Sequence, residues 1–349
     1  MQRGGYALKK LQNVLYILTP NSYLHCQNET IAVDVGGNEK VRIPCHTIES
    51  IVCYGNTTVS TPFIAFCGER NIGLSFMSDY GRFYGRVNGP VSGNVLLRKE
   101  QYKLMEDADY PVSFVRLLMY GKLANSKNLL LRSAREQEGI EECGLLKDAA
   151  LQIAHLAQKL QDTDSIDSLR GIEGVAASTY FGVFDYMIKA QKSEFRFNVR
   201  SKYPPEDNVN AVLSFLYTLL KNDVQSALEA VGLDPAAGFM HTLRPGRASL
   251  ALDLMEELRA PICDRLTISL INLKQISNTD FHYEPSGVKL SDKARRVVID
   301  AWQRKKKEII LHPFLDEKIQ IGLIPFAQAQ LLARNIRGDL DAYPPFIWR

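Results

Sequence analysis

Val87-Asn88-Gly89-Pro90-Val91-Ser92-Gly93-Asn94-Val95-Leu96 is the stretch at which this chain changes character. Gly89, Pro90 and Gly93 punctuate it, because glycine and proline interrupt regular structure more than other residues do. On its amino-terminal side the chain reads as short strands. Asn13–Leu18, Thr30–Val35, Glu39–Ile43 and Ile48–Tyr54 are rich in Val, Ile and Tyr, which suit a pleated, half-buried surface. Gly36-Gly37-Asn38 between two of them signals a hairpin. A short helix is expected over Thr61–Arg70, followed by strands over Gly73–Met77 and Arg82–Val87. Asp79-Tyr80-Gly81-Arg82-Phe83 reads as the turn joining that last pair. From about Asn94 onward helical patterns dominate, over Val95–Met105, Phe114–Arg135, Leu145–Gln161, Gly174–Lys189, Asn208–Val231 and Ser249–Arg259. The fold class is α+β: a small N-terminal β-rich domain (residues 1–90), a larger all-helical domain (residues 91–335) and a proline-containing C-terminal tail (residues 336–349). The tail reads as a strap packed on its own domain, with a docking peptide as the alternative.

Composition limits the partners. The 349 residues are enough for an ample core, and a net charge of only +3 means that any grip on nucleic acid must come from local patches. Six cysteines (26, 45, 53, 67, 143, 263) are scattered with no Cys-x-x-Cys pair. That spacing argues against a zinc site or disulfide framework and suits a reducing cytoplasm. No run of apolar residues is long enough for a membrane span, and Arg3 and Lys9 are not followed by a secretory apolar core, so a cytoplasmic location is expected.

The richest chemistry lies in Gly171-Ile172-Glu173-Gly174 and in the run from His241 to Glu257. Ser249–Arg259 has strong helix formers and no Gly or Pro, with Pro245-Gly246 breaking the chain before it and Pro261 expected to close it. Leu250, Leu254 and Leu258 form one stripe of that helix, whereas Asp253 and Glu256, three apart, share another face. His241 lies upstream, where a loop could fold back over the acids. Glu173 reads as the opening of the helix to Lys189, and its flanking glycines leave room for a close approach. One imidazole with two or more carboxylates suits Mg2+ or Mn2+, with water and a substrate phosphate completing the shell. The plainer alternatives are a solvated acidic face, a structural histidine and a first-turn acid favoured by the helix dipole.

Several segments together resemble the CRISPR adaptation integrase/endonuclease, the first of the CRISPR-associated protein families. They are Leu-Gln-Asn-Val-Leu-Tyr (11–16), Gly-Pro-Val-Ser-Gly-Asn-Val-Leu-Leu-Arg (89–98), Leu-Arg-Gly-Ile-Glu-Gly (169–174) and Val-Asn-Ala-Val-Leu-Ser-Phe-Leu-Tyr (209–217). Ala-Leu-Glu-Ala-Val-Gly-Leu-Asp-Pro (227–235) and Arg-Pro-Gly-Arg-Ala-Ser-Leu-Ala-Leu-Asp-Leu-Met-Glu-Glu-Leu-Arg (244–259) extend the match. The tail Arg-Gly-Asp-Leu-Asp-Ala-Tyr-Pro-Pro-Phe (337–346) is similar to type I members of subtype C. The resemblance implies that Glu173, His241 and Glu256 bind the catalytic divalent metal, with Asp253 behind them or as an alternative ligand. Many relatives have Asp where this chain has Glu256, a change in reach rather than in chemistry.

The resemblance further implies attack by the 3′-hydroxyl of a short foreign DNA fragment on a phosphodiester at the edge of a CRISPR repeat. The same site run with water would be a metal-dependent DNA nuclease. Implied partners are double-stranded DNA, a second copy paired through the β domains, the second CRISPR-associated protein in a heterohexamer, and an exonuclease of the fourth CRISPR-associated family.

Basic residues supply candidates for the DNA contact. Eight Lys/Arg between Lys289 and Lys307, among them Arg304, Lys305, Lys306 and Lys307, face only Asp292 and Asp300. Such a stretch would neutralise phosphates, and the interleaved Trp302 would stack on a frayed base; a solvated helix face is the alternative. Arg196, Arg200 and Lys202 follow the Glu173 helix, and Arg244 and Arg247 flank the Pro-Gly turn, where guanidinium groups would suit a scissile phosphate. Three other functions use parts of the same residues: a general nuclease for branched DNA, a catalytically silent DNA-binding scaffold, and a metallohydrolase for small phosphoesters.

Overall fold

The structure is a computed structural model and describes residues 13–70, 72–78, 83–87, 95–136, 140–202 and 204–348. The Gly-Pro punctuation at residues 88–94 and most of the turn expected at 79–83 lie outside them. Two compact units, Met1–Gly93 and Asn94–Arg349, divide the chain.

The first unit contains β1 (Asn13–Ile17), β2 (Ser22–Gln27), β3 (Thr30–Val35), β4 (Asn38–Pro44), β5 (Ile48–Tyr54), β6 (Thr57–Val59), α1 (Thr61–Glu69), β7 (Gly73–Met77) and β8 (Phe83–Val87). They form two four-stranded sheets, ordered β1-β5-β7-β8 and β4-β3-β2-β6. Strands β2 and β6 have no counterpart in the sequence reading: the first mixes His, Cys and Gln into its run, and the second has only three residues. The expected hairpin closes through Gly36 and Gly37 alone, both at positive φ, because Asn38 already pairs with Val35. Ser60 caps α1 by accepting from Phe63 N–H at 3.2 Å. The helix buries Phe63 and Phe66 against Leu24, Ile31, Ile51 and Leu74 of the two sheets, which gives this unit its own core.

The second unit is mainly helical: α2 (Val95–Met105), α3 (Tyr110–Arg135), α4 (Ile140–Lys159), α5 (Ile166–Gly182), α6 (Asn208–Val231), α7 (Ser249–Leu254), α8 (Glu256–Leu258) and α9 (Arg265–Asn272). The ribbon β9 (Phe281–Glu284) and β10 (Gly287–Leu290) then leads into α10 (Asp292–Lys307). A second ribbon, β11 (Ile309–Leu311) with β12 (Lys318–Gln320), precedes α11 (Ile324–Ile336). Helix α3 is central, burying Phe114, Val115, Leu118, Met119, Leu123 and Leu130. Asp207 caps α6 at its start by accepting from Asn210 N–H at 2.7 Å, and Gly232, at φ 90°, ends it.

The tail packs into this unit as a strap. Tyr343 and Phe346 are buried, and Asn125 of α3 donates to the Phe346 carbonyl at 2.7 Å. Gly121 lies one turn away on α3. A Cβ there would meet Pro345 Cβ at 2.9 Å and Glu257 Oε2 at 3.0 Å. Gly121→Ala is therefore expected to cost roughly 1–3 kcal/mol by overpacking, read as a lowered denaturant midpoint with an unchanged slope.

Candidate active site

Asp253 organises the loop that carries His241. It is fully buried on α7, and its Oδ2 accepts backbone N–H groups from Phe239 at 2.7 Å and Met240 at 3.0 Å. Its Oδ1 accepts the His241 N–H at 2.9 Å and faces His241 Nδ1 at 2.6 Å. An oxygen surrounded by donors takes the proton of Nδ1 as one more hydrogen bond. That fixes the tautomer and leaves Nε2 as a free lone pair.

The run Ser249–Arg259 is not one helix. It breaks at Met255 into α7 and α8, and Arg259–Asp264 forms a π turn that continues into α9. Pro261 does not close the helix. Lacking an N–H, it is accommodated by a widened turn in place of a four-residue repeat. Leu250, Leu254 and Leu258 are all fully buried, as their stripe predicts. The wide turn ends at Asp264, whose buried carboxylate accepts hydroxyl hydrogen bonds from Tyr180 of α5 at 2.8 Å and Tyr217 of α6 at 2.7 Å.

Glu173 lies inside α5 rather than at its opening, because Ser165 starts that helix by accepting from Ser168 N–H. No other part of the chain closes on the glycines beside it: a Cβ at Gly171 or Gly174 would meet no other heavy atom within 4 Å, so the space there is open. What meets Glu173 is Lys122 of α3. Its ammonium is paired with Glu173 Oε1 and lies 2.8 Å from Glu256 Oε2. Arg259 holds the other oxygen, Oε1, of Glu256 at 2.9 Å. Burial pushes the Glu256 carboxyl up, but the charges of Arg259 and Lys122, with the Lys122 hydrogen bond, outweigh it and hold the group at about 2. Burial likewise opposes the charge on Lys122, and the two glutamates more than restore it.

These groups border a cavity of about 500 Å³ whose lining includes Lys122, Glu173, Arg200, Lys202, Glu256 and Arg259. His241 is not part of that lining. Arg170 ties its loop to the Glu173 helix, donating from Nε at 3.1 Å and from its terminal nitrogen to the Met240 carbonyl. The structure thus brings together Glu173, Glu256 and, through Asp253 and Arg170, the His241 loop. Lys122, Arg170 and Arg259 are the participants that the sequence reading did not single out. Arg170 sits one helical turn before Glu173, which is the signal that would have found it. Lys122 had no comparable signal.

The basic candidates divide. Arg200 lines the cavity, bonded to Asn210 Oδ1 at 2.7 Å and, like Arg259, set over the Tyr217 ring. Arg244 is exposed and Arg247 half-buried, and neither forms an ion pair among the described residues. On α10, Arg304 and Lys307 are exposed. Lys305 and Lys306 are buried and already paired, with Glu308 and Asp223, each at 2.7 Å. Trp302 is 1% exposed. The expectation that it stacks on a base is corrected: it is core, because the apolar face of α10 needs its bulk.

Among the described residues, no three His, Cys, Asp or Glu side chains converge closely enough to hold an ion as they stand. Lys122 stands between the carboxylates. The donor chemistry nevertheless fits a hard divalent cation. It offers two carboxylates and an imidazole Nε2, and the buried Glu256 Oε2 has a cation, the Lys122 ammonium, 2.8 Å away.

A β-rich unit thus precedes a helical one, and in the helical unit Glu173, Glu256, Lys122, Arg200, Lys202 and Arg259 line one cavity. The family model for CRISPR associated protein Cas1 matches residues 15–304. A Rhodospirillum rubrum protein named CRISPR-associated endonuclease Cas1 2 is 47% identical over 98% of this chain and 100% of its own length. The chain belongs to the Cas1 family. A Cas4 exonuclease/Cas1 endonuclease fusion from the same organism is 33% identical over 95% of this chain and 57% of its length. Among solved structures, a Cas6-RT-Cas1–Cas2 complex superposes with a TM-score of 0.82 at 21% identity, over 98% of this chain and 36% of that one. A casposase bound to integration product gives 0.82 at 20% identity, over 97% and 95%. At such identities these two likenesses show the fold alone.

Proposed function

We propose that this chain is a Mg2+- or Mn2+-dependent DNA endonuclease and integrase that inserts short foreign DNA fragments into a CRISPR array. The observation that carries the reading is the meeting of Glu173 and Glu256 at one ammonium, with His241 fixed by Asp253, at the edge of a cationic cavity. Family membership supports it. Glu173, Glu256 and His241 Nε2 are the groups that would hold the metal. When bound, the metal would supply Lewis-acid polarisation of a phosphoryl oxygen and would favour loss of the proton from an attacking 3′-hydroxyl. Asp253 orients His241, and Arg259 keeps Glu256 ionised. Arg200 and Lys202 offer positive charge to the scissile phosphodiester from the cavity, and Arg244, Arg247, Arg304 and Lys307 offer it on the surface.

The names of a Cas4/Cas1 fusion relative and of a Cas1–Cas2 complex neighbour support Cas2 and a Cas4-type exonuclease as partners. Pairing of two copies through the β-rich unit is part of the same reading, which the mostly exposed edge strand β4 permits. A cytoplasmic setting is consistent with this, and no helix among the described residues is long and apolar enough to cross a membrane.

A strand-transfer assay tests the function. Purified protein with its small partner, a duplex bearing free 3′-hydroxyls and a repeat-bearing plasmid are mixed with Mn2+ or EDTA. The expected result is metal-dependent joining that His241→Ala and Glu173→Gln both abolish. Nicking without joining would favour the branched-DNA nuclease. No reaction together with no bound metal would leave a silent scaffold.

A further inference from the structure

We propose that Lys122 is a built-in placeholder cation. Its ammonium occupies the position between Glu173 and Glu256 until a divalent ion displaces it, and it thereby sets the metal affinity of the site. This rests on the metal-site reading above.

The argument begins with Glu256, a carboxylate only 4% exposed. A buried anion without a counter-charge is strongly unfavourable, so such a carboxyl either takes up a proton or stands beside a cation, and here two cations are present. Arg259 serves one oxygen from the following helical turn. The other oxygen and Glu173 Oε1 both turn to the same ammonium, 15% exposed, at the end of a flexible side chain on α3. Lysine suits a displaceable role, being a point charge on four methylenes with no fixed fork geometry. The contact with Glu256 Oε2, at 2.8 Å, is made by a rotatable ammonium, so Lys122 neutralises that oxygen without locking it in a fixed geometry. The ammonium also has room to leave, because Lys122 lines the cavity of about 500 Å³ beside the acids. A divalent ion entering between the same oxygens replaces one positive charge with two. Both cannot hold that position, so loss of the ammonium should strengthen metal binding while weakening the metal-free fold.

This pairing of opposite signs separates the placeholder from other roles. A merely structural lysine, when removed, would lower both stability and metal affinity. A lysine that serves only DNA would leave Mn2+ affinity unchanged.

The test measures Mn2+ binding to the full chain by calorimetry and electron paramagnetic resonance, and thermal midpoints in EDTA and in Mn2+. Wild type is compared with Lys122→Met and Lys122→Gln. The expected result is that Lys122→Met binds Mn2+ on the order of tenfold tighter or more, melts lower in EDTA, and recovers its midpoint in Mn2+. Lys122→Gln keeps a donor for Glu173 without the charge. It should show the same tightening with a smaller loss in EDTA, which keeps the test decisive if the methionine variant does not fold. Equal or weaker Mn2+ binding by the folded variants overturns the placeholder and leaves the metal site standing. Absence of Mn2+ binding in wild type and variants alike overturns the metal-site reading, and the placeholder with it.

Discussion

Asp253→Ala is expected to destabilise the helical unit by roughly 3–6 kcal/mol, because three backbone N–H groups lose their acceptor at once. Phe239, Met240 and His241 all donate to that one carboxylate, at 2.7, 3.0 and 2.9 Å. Each buried donor left unsatisfied costs about 1–3 kcal/mol, and partial entry of water keeps the total below the full sum. Urea denaturation reads the loss. The same substitution frees the His241 ring, whose Nδ1 has no other partner among the described residues. Removal of a group that orients a metal-ligating histidine typically costs 10–100-fold in affinity or activity. Asp253→Asn retains the size but places an amide donor against a backbone donor, so it should show much of both effects. A stability loss below about 1 kcal/mol would mean that the loop is held by Arg170 and packing instead.

Glu257→Ala should be almost as costly, about 2–4 kcal/mol from a lost buried network and the space left behind, and should release the tail. Glu257 is fully buried. Its Oε1 accepts from Gln328 at 2.8 Å and from the Tyr343 hydroxyl at 2.6 Å, and its Oε2 accepts the Phe346 N–H at 2.9 Å. Limited proteolysis between residues 337 and 342 reads the release, with no faster cleavage there as the opposing result.

A pH effect follows from the same burial. Desolvation pushes this carboxyl up to about 8, above the ordinary 4.5, although Tyr343, Gln328 and Phe346 pull it down. The folded protein therefore binds that proton more tightly than the unfolded chain. The stability it contributes is fully present below about pH 4.5 and is lost as pH rises through about 8. Relative to Glu257→Gln, the wild-type midpoint should fall across that window and run parallel above it. Parallel curves throughout would show that the hydrogen bonds, not desolvation, set the proton affinity.

Much of the architecture was legible because local signals agreed. Val/Ile/Tyr runs bounded by Gly-Gly and Pro gave the strands from Thr30 to Tyr54, and uninterrupted helix formers gave Asn208–Val231. The errors came where tertiary packing overrode those signals. Pro261 was read as a stop, yet the helix widened around it because Leu250, Leu254 and Leu258 hold one side in the core while the tyrosine bonds to Asp264 hold its far end. Glu173 lies two turns inside its helix for a local reason, the Ser165 cap, which the glycines at 171 and 174 obscure.

The sequence by itself determined the family and the order of a β-rich unit before a helical one, and it singled out His241, Asp253, Glu173 and Glu256 as the candidate imidazole and acids. Charge count and spacing could not say which basic residues still have charge to offer. Lys305, Lys306 and Trp302 sit in one basic run, but the buried face of α10 takes all three and leaves Arg304 and Lys307 outside. Nor could any local pattern bring Lys122, 51 positions before Glu173, to the two glutamates. Only the packing of α3 against α5 and α8 decides that, because a counter-charge for buried acids is chosen by proximity in space and leaves no periodic trace along the chain.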